Sequence, residues 1–162
     1  MGQLNPYERF LDGRAVDAIL EATAGDIAKH LAAIGEKRAA MTPAPGKWSA
    51  AEIVCHLADC ELVFGFRLRQ ALAEDGPTIQ PFDQDDWAGW YKDVSAAEAL
   101  AAFRALRKWN LAMLRAALPN AADRKITHPE RGTMTFQVVI ETMAGHDLNH
   151  LSQLRRLDGK AA

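Results

Sequence analysis

The sequence predicts an all-α chain folded as a four-helix bundle, with a short extra helix in the long connection between the second and third helices. Three observations carry this. The prolines at 6, 43, 45, 77, 81, 119 and 129 all fall between, or at the very start of, helically periodic segments, and a proline inside a helix removes a hydrogen bond and clashes with the turn before it. Four long windows remain, in which apolar residues recur at spacings of three and four. Two of these windows open on a Ser-x-x-Glu capping box. Together they take in well over half of the chain, against roughly one third helix in an average globular protein.

In chain order, Asn5, Pro6 and Glu8 predict a short leading helix, with a cap, a proline at the first helical position and an acid in the first turn. The first long helix spans about residues 14–39, with a core-facing stripe of Val16, Leu20, Thr23, Ile27, Leu31 and Ile34. The second starts at Ser49, with Glu52 completing the capping box and Trp48 stapling onto Ile53, and runs to about Glu74. Ser95 and Glu98 open the third, which passes through Leu100, Phe103, Leu106, Leu111 and Leu114 to a stop at Pro119. The fourth runs from near Thr135 to about residues 158–159, with Arg155 and Arg156 where cations complement the helix dipole. No strand pattern competes with these segments.

Helices of about 24 residues are about 35 Å long, which suits a bundle. The connections at 75–94 and 119–134 are long for one, since bundle loops usually hold roughly 2 to 8 residues. About twenty extended residues reach about 66 Å, enough to cross the bundle and start helix three parallel to helix two. Residues 159–162 are expected to fray.

With 162 residues, 49% of them hydrophobic and 25% charged, the chain reads as a single domain over residues 1–162. No run reaches the roughly 18 apolar residues of a membrane span, and residues 1–6 lack the charged and apolar regions of a signal peptide. A cytoplasmic protein with no membrane partner is expected. Nineteen Lys and Arg against 21 Asp and Glu give a net charge of −2 with no basic block, which argues against a nucleic-acid partner. Cys55 and Cys60 diverge by about 140° around a helix, so no disulfide is expected between them.

Chemistry concentrates on the fourth helix. The stripe Phe136, Val139, Ile140, Met143 continues into His146, His150, Leu154 and Leu157, so an i, i+4 pair of imidazoles points into the bundle. Buried imidazoles need partners for their ring nitrogens, because an unmatched buried polar group costs about 1–3 kcal/mol. A shared metal ion supplies the match; the alternative is that each ring bonds elsewhere. On the second helix the stripe Ile53, Leu57, Cys60, Phe64, Leu68 includes a third imidazole, His56. Three histidines with open positions is the ligand count of a catalytic rather than a closed structural site. Gln153, Asp59 and Asn149, each about one turn from a proposed ligand, are candidates to orient it, with plain surface polarity as the alternative for Gln153 and Asn149.

The segment K-W-S-A-A-E-I-V-C-H-L at residues 47–57 resembles the W-[ST]-x-x-[ED]-x-x-x-H-[LI] segment of the DinB superfamily (DinB/YfiT-like proteins), and G-H-D-L-N-H-L-S-Q-L at residues 145–154 is similar to that family's H-x-x-x-H-x-x-Q-[LI] segment on the last helix. Residues 83–90 and 128–133 also sit where the family has comparable segments. The resemblance implies an up-down-down-up bundle holding one divalent ion through His56, His146 and His150. It implies a metal-dependent hydrolase or a thiol-dependent transferase or isomerase, and a homodimer. The expected partner is therefore a small-molecule substrate or thiol. Three imidazoles suit zinc, nickel, iron and copper alike. A non-catalytic metal- or ligand-binding bundle, serving as sensor or scaffold, is the other reading.

No general acid or base is assigned. Cys60 lies one turn from His56 and reads as a small core residue, with reach to the ion as the alternative. His128, biased toward extended backbone by Pro129, is a candidate acid or base. His30 reads as a partly exposed structural histidine. Asp83, Asp85 and Asp86 can supply a carboxylate, but helix capping and solvation are the commoner roles. The aromatic residues around Trp87 and Trp90 either roof a pocket or anchor the loop. Asp147 stands where a zinc protease has Glu, so H-E-x-x-H is absent.

Overall fold

The structure, a computed structural model, describes residues 3–159. A 3-10 turn (Glu8–Phe10) leads into α1 (Val16–Ile34) and α2 (Glu36–Ala39), followed by α3 (Ala50–Ala73), α4 (Gln84–Ala88), α5 (Ala96–Ala121), the strands β1 (Lys125–His128) and β2 (Gly132–Thr135), and α6 (Phe136–Leu157). The expected fraying concerns residues 159–162, of which 160–162 lie outside the described residues.

The direction of each long helix follows from the two halves of the core. One half gathers Ile19 and Leu20 from the start of α1, Leu68 and Ala71 from the end of α3, Leu114 and Ala121 from the end of α5, and Phe136 to Met143 from the start of α6. The other gathers Ile34, Ile53, Leu100 and Leu154 from the opposite ends of the same helices. Thus α1 and α6 run one way and α3 and α5 the other, the up-down-down-up order. The chain after α3 must travel back along the bundle before α5 begins. It does so through Ile79, whose N–H donates to the Thr127 carbonyl at 2.9 Å, then α4, then the buried Tyr91 in the second half of the core.

Both predicted capping boxes form. Ser49 Oγ accepts from the Glu52 N–H at 3.2 Å while Glu52 Oε2 accepts from the Ser49 N–H at 2.7 Å, and Ser95 with Glu98 repeats the exchange at 3.1 and 3.2 Å.

Three local expectations are corrected. The first helix is not continuous to residue 39: Gly35, at φ 80°, breaks it into α1 and α2, a backbone conformation that glycine adopts without a Cβ clash. The third does not stop at Pro119 but runs to Ala121, since a proline in the last turn removes only one rung and Ala121 is buried in the core. The connection at 119–134, to which the all-α reading assigned no strand, carries an antiparallel hairpin in which Ile126 faces Met134. Each strand has four residues, with Ile126 and Met134 turned into the core, too few for a period of two to register.

Candidate metal centre

His56 sits on α3 two turns inside the Ser49 capping box, and His146 and His150 sit one turn apart on α6, whose N-terminus is capped by Thr135 Oγ1 accepting from the Val138 N–H at 3.2 Å. The bundle brings the three predicted residues together in its interior. His146 Nε2 lies 3.0 Å from His56 Nε2 and 3.1 Å from His150 Nε2, and one ligand atom from each ring lies within 4.8 Å of the others. All three residues are buried.

Burial pushes the His56 imidazole down to about 3, with His150 adding to the effect. It pushes His146 far down, helped by His150, His56 and Arg107. His150 is also lowered by burial, against the Gln153 hydrogen bond and the Asp147 charge. The rings are therefore neutral and have lone pairs to offer. Gln153 Oε1 accepts from His150 Nδ1 at 3.1 Å, which leaves Nε2 of that ring a lone pair facing His146. Nitrogens bound tetrahedrally at 2.0–2.1 Å from one ion stand about 3.3 Å apart, close to the spacing here. The donor set fits a divalent ion.

Aromatic walls enclose the rings. Trp48 packs on His56 with centroids 4.8 Å apart and stacks on His150 at 6.4 Å, while Tyr7 meets His146 edge-on at 5.0 Å. Tyr7 comes this close because the α6 residue before His146 is glycine: a Cβ on Gly145 would lie 2.5 Å from the Tyr7 carbonyl oxygen. Two cavities reach the cluster. One of about 610 Å³ opens on His150, Trp48, Asn149 and Gln153. A second of about 310 Å³ opens on His56 and His146, with Cys60, Arg67, His128 and Arg131 on its walls.

The other candidates divide. Cys60 is buried with Sγ 3.5 Å from His56 Nε2 and 3.8 Å from His146 Nε2, so it borders the cluster as well as filling core. Its thiol is pushed up by burial, then by Asp59. His128, on β1 rather than in an open loop, lines the smaller cavity, and its Nδ1 accepts from the Glu130 N–H at 3.2 Å. Asp59 does not orient a ligand; its Oδ2 accepts from Tyr91 O–H at 2.6 Å. Asp83 caps α4 by accepting from the Asp85 and Asp86 N–H groups at 2.8 and 3.2 Å. Asp85 and Asp86 are exposed, Asp85 on the wall of the larger cavity. His30 Nδ1 pairs with Asp158 Oδ2 at 2.5 Å near the surface. Of the loop aromatics, Phe82 lines the smaller cavity, Tyr91 anchors the connection, and Trp90 is 86% exposed and does neither.

Sequence reasoning missed a second buried polar centre beside the first. Arg107 on α5 donates to Asp147 Oδ2 and Glu61 Oε2, both at 2.8 Å. Thr23 Oγ1 reaches Asp147 at 2.9 Å, and Asn110 Nδ2 reaches Glu61 Oε1 at 2.9 Å. The signal lay in the α5 stripe, which passes through Leu100, Phe103, Arg107, Asn110 and Leu114 rather than Leu106 and Leu111.

A bundle whose middle two helices run parallel, with an inward H-x-x-x-H on the last helix facing a third histidine on the second, defines a class of helical proteins built around a tri-histidine centre. The model of the DinB superfamily matches residues 19–154, and the chain belongs to that superfamily. A relative from Oceanobacillus iheyensis, named "putative metal-dependent hydrolase", is 31% identical over 113 residues, covering 69% of this chain and 66% of that protein. One of the same name from Bacillus mycoides is 22% identical over 139 residues, 85% of this chain and 80% of the relative. YfiT of Bacillus subtilis is 27% identical over 116 residues, 69% of this chain and 65% of its own length. The match to the first of these thus spans just under two thirds of that relative. The solved structure of YfiT, described as a probable metal-dependent hydrolase with an unusual four-helix bundle topology, superposes with a TM-score of 0.79 at 22% identity, covering 90% of this chain and 87% of that one. That likeness shows the fold.

Proposed function

We propose that this chain is a metal-dependent hydrolase of a small molecule, with one divalent ion held by His56, His146 and His150. The observation that carries the reading is the convergence of three buried, neutral imidazoles whose nitrogens face one another without protons enough to bond them all. When bound, a divalent ion supplies Lewis acidity and lowers the pKa of a water toward roughly 7. The chain's own residues do the rest. Gln153 fixes the orientation of His150, Trp48 and Tyr7 screen the centre from bulk water, and His128 holds a proton at Nε2 in the adjoining cavity. Zinc, nickel and iron are the favoured ions for an imidazole set. Two unpaired cysteines fit a reducing cytoplasm, and among the described residues no helix is long and apolar enough to cross a membrane. A homodimer would cover the exposed Leu62, Phe66 and Trp109 on α3 and α5.

Thiol-dependent transfer is the second reading. It is favoured by the presence of two cavities at one centre, one for a thiol and one for an electrophile. Metal analysis of protein purified without an affinity tag should find about one equivalent, and a His146→Ala/His150→Ala variant should bind little. Metal content that is low in the parent and indifferent to the substitutions overturns the reading. With metal in place, turnover of esters or amides identifies a hydrolase, and turnover of electrophile plus thiol identifies a transferase. Silence on both panels leaves a sensor or scaffold.

A further inference from the structure

The smaller cavity is positive in a way the bundle itself does not balance. Arg67 is 8% exposed, yet among the described residues its one hydrogen bond runs from Nη2 to the Gln80 carbonyl at 2.7 Å, and its buried Nε has no partner. No carboxylate pairs with Arg67 or Arg131 among the described residues. The other deeply buried arginine, Arg107, is held between two. A buried cation without a counter-ion is costly, and the cost falls when a ligand brings the missing charge.

The remaining groups on the walls point the same way. His128 accepts at Nδ1 from Glu130, so its neutral ring presents an N–H at Nε2. Burial, then Arg131 and Arg67, keep it neutral. Among the described residues the one acid on the lining is Glu130, which is exposed. A guanidinium fork offers paired donors matched to the two oxygens of an oxyanion. A cavity of about 310 Å³ is at the small end of ligand pockets.

We propose that Arg67, Arg131 and His128 form a subsite for an anionic group, a carboxylate or a phosphate, on the molecule processed at the neighbouring histidines. The substrate class is thereby a small organic acid or phosphate ester whose reacting bond lies one cavity width from its charge. This rests on the proposed ion-binding role of His56, His146 and His150, since a dication held by three neutral rings adds to the charge that the ligand must balance.

Isothermal titration of the full chain, both metal-stripped and zinc-loaded, with succinate, inorganic phosphate and the neutral succinamide tests it. At least one anion should bind both forms, the diamide neither. Arg67→Met should weaken anion binding at least about tenfold, Arg131→Gln severalfold, and Arg67→Lys should restore part of the loss. Succinate without phosphate marks a carboxylate site, phosphate without succinate a phosphate site, and both together a general oxyanion site. Equal affinity in the parent and Arg67→Met overturns the proposal, as does the absence of anion binding to either form. Binding that needs zinc and ignores Arg67 also overturns it, because the anion then sits on the ion. If circular dichroism shows Arg67→Met unfolded, Arg131→Gln decides, and unchanged affinity there overturns the proposal. Failure to take up zinc condemns the metal reading alone, because the titration of metal-stripped protein still reads the subsite.

Discussion

Two polar centres share the core, and adjacent residues of α6 serve them: His146 belongs to one and Asp147 to the other. Around Asp147 the charges close on themselves. Thr23, Glu61, Arg107 and Asp147 come from the four long helices, one each, and each buried charge meets its opposite at 2.8 Å; only Arg107 Nε lacks a partner. Burial works against the Arg107 cation, but Asp147 and Glu61 outweigh it and hold the group charged. Around His146 nothing closes. Three neutral rings aim nitrogens at a common point, with cavities beside them. The closed centre ties helices together; the open one leaves imidazole nitrogens with more lone pairs than protons to share.

That contrast breaks hardest at Arg107. Arg107→Met strands Glu61 and Asp147 as unpaired buried acids and should cost about 3–5 kcal/mol in urea unfolding; a cost under about 1 kcal/mol would mean the network does not hold the helices. Adding Glu61→Gln and Asp147→Asn should recover part of it.

The open centre should show itself through pH. The His56 ring titrates near 3 when folded and near 6.5 when unfolded. Below about pH 6.5 the unfolded chain takes up a proton that the folded one refuses, so stability is unaffected above about pH 7 and falls as pH drops toward 3. For His56 alone, lowering pH from 7 to 5 should cost metal-free protein about 2 kcal/mol, with His146 and His150 adding in the same direction. Urea unfolding of parent and His56→Leu across this range checks it, the variant giving the shallower slope. Gln153→Ala frees His150 Nδ1 and should weaken metal binding about tenfold, read by competition with a chelating dye, while leaving anion titration of metal-stripped protein unchanged. The smallest effect is expected at the edge of the closed centre. Thr23→Val removes one hydrogen bond from a carboxylate still paired with Arg107 and should cost about 1 kcal/mol.

The open centre could be read from sequence because it obeys helical periodicity. His56, His146 and His150 continue stripes of Ile, Leu and Met, and an imidazole on such a stripe stands out. The closed centre could not, because Arg and Glu are assigned to solvent by their usual exposure, and nothing in a single sequence tells which charges find partners three helices away. Its traces were Thr23 on the first stripe, Asp147 between the two histidines, and Arg107 and Asn110 at stripe spacing on α5. Arg67 was hidden for the same reason, and the hairpin by its brevity. Capping boxes, being local, gave the helix starts to the residue, whereas Gly35 and Pro119 misled because one glycine or one proline near an end permits either outcome.

The up-down-down-up order also bears on how the molecule assembles. In an up-and-down bundle each helix docks on the one just made. Here α1 is the parallel neighbour of α6, and the two rings that meet at 3.0 Å come from positions 90 apart in the chain. Closing so long a loop precedes any reward from the contacts it brings, which places the chain among the slower folders of the all-helical class. The proposed ion would find its three ligands gathered only after that closure, so its binding energy would act on the finished bundle, slowing its loss rather than guiding its formation.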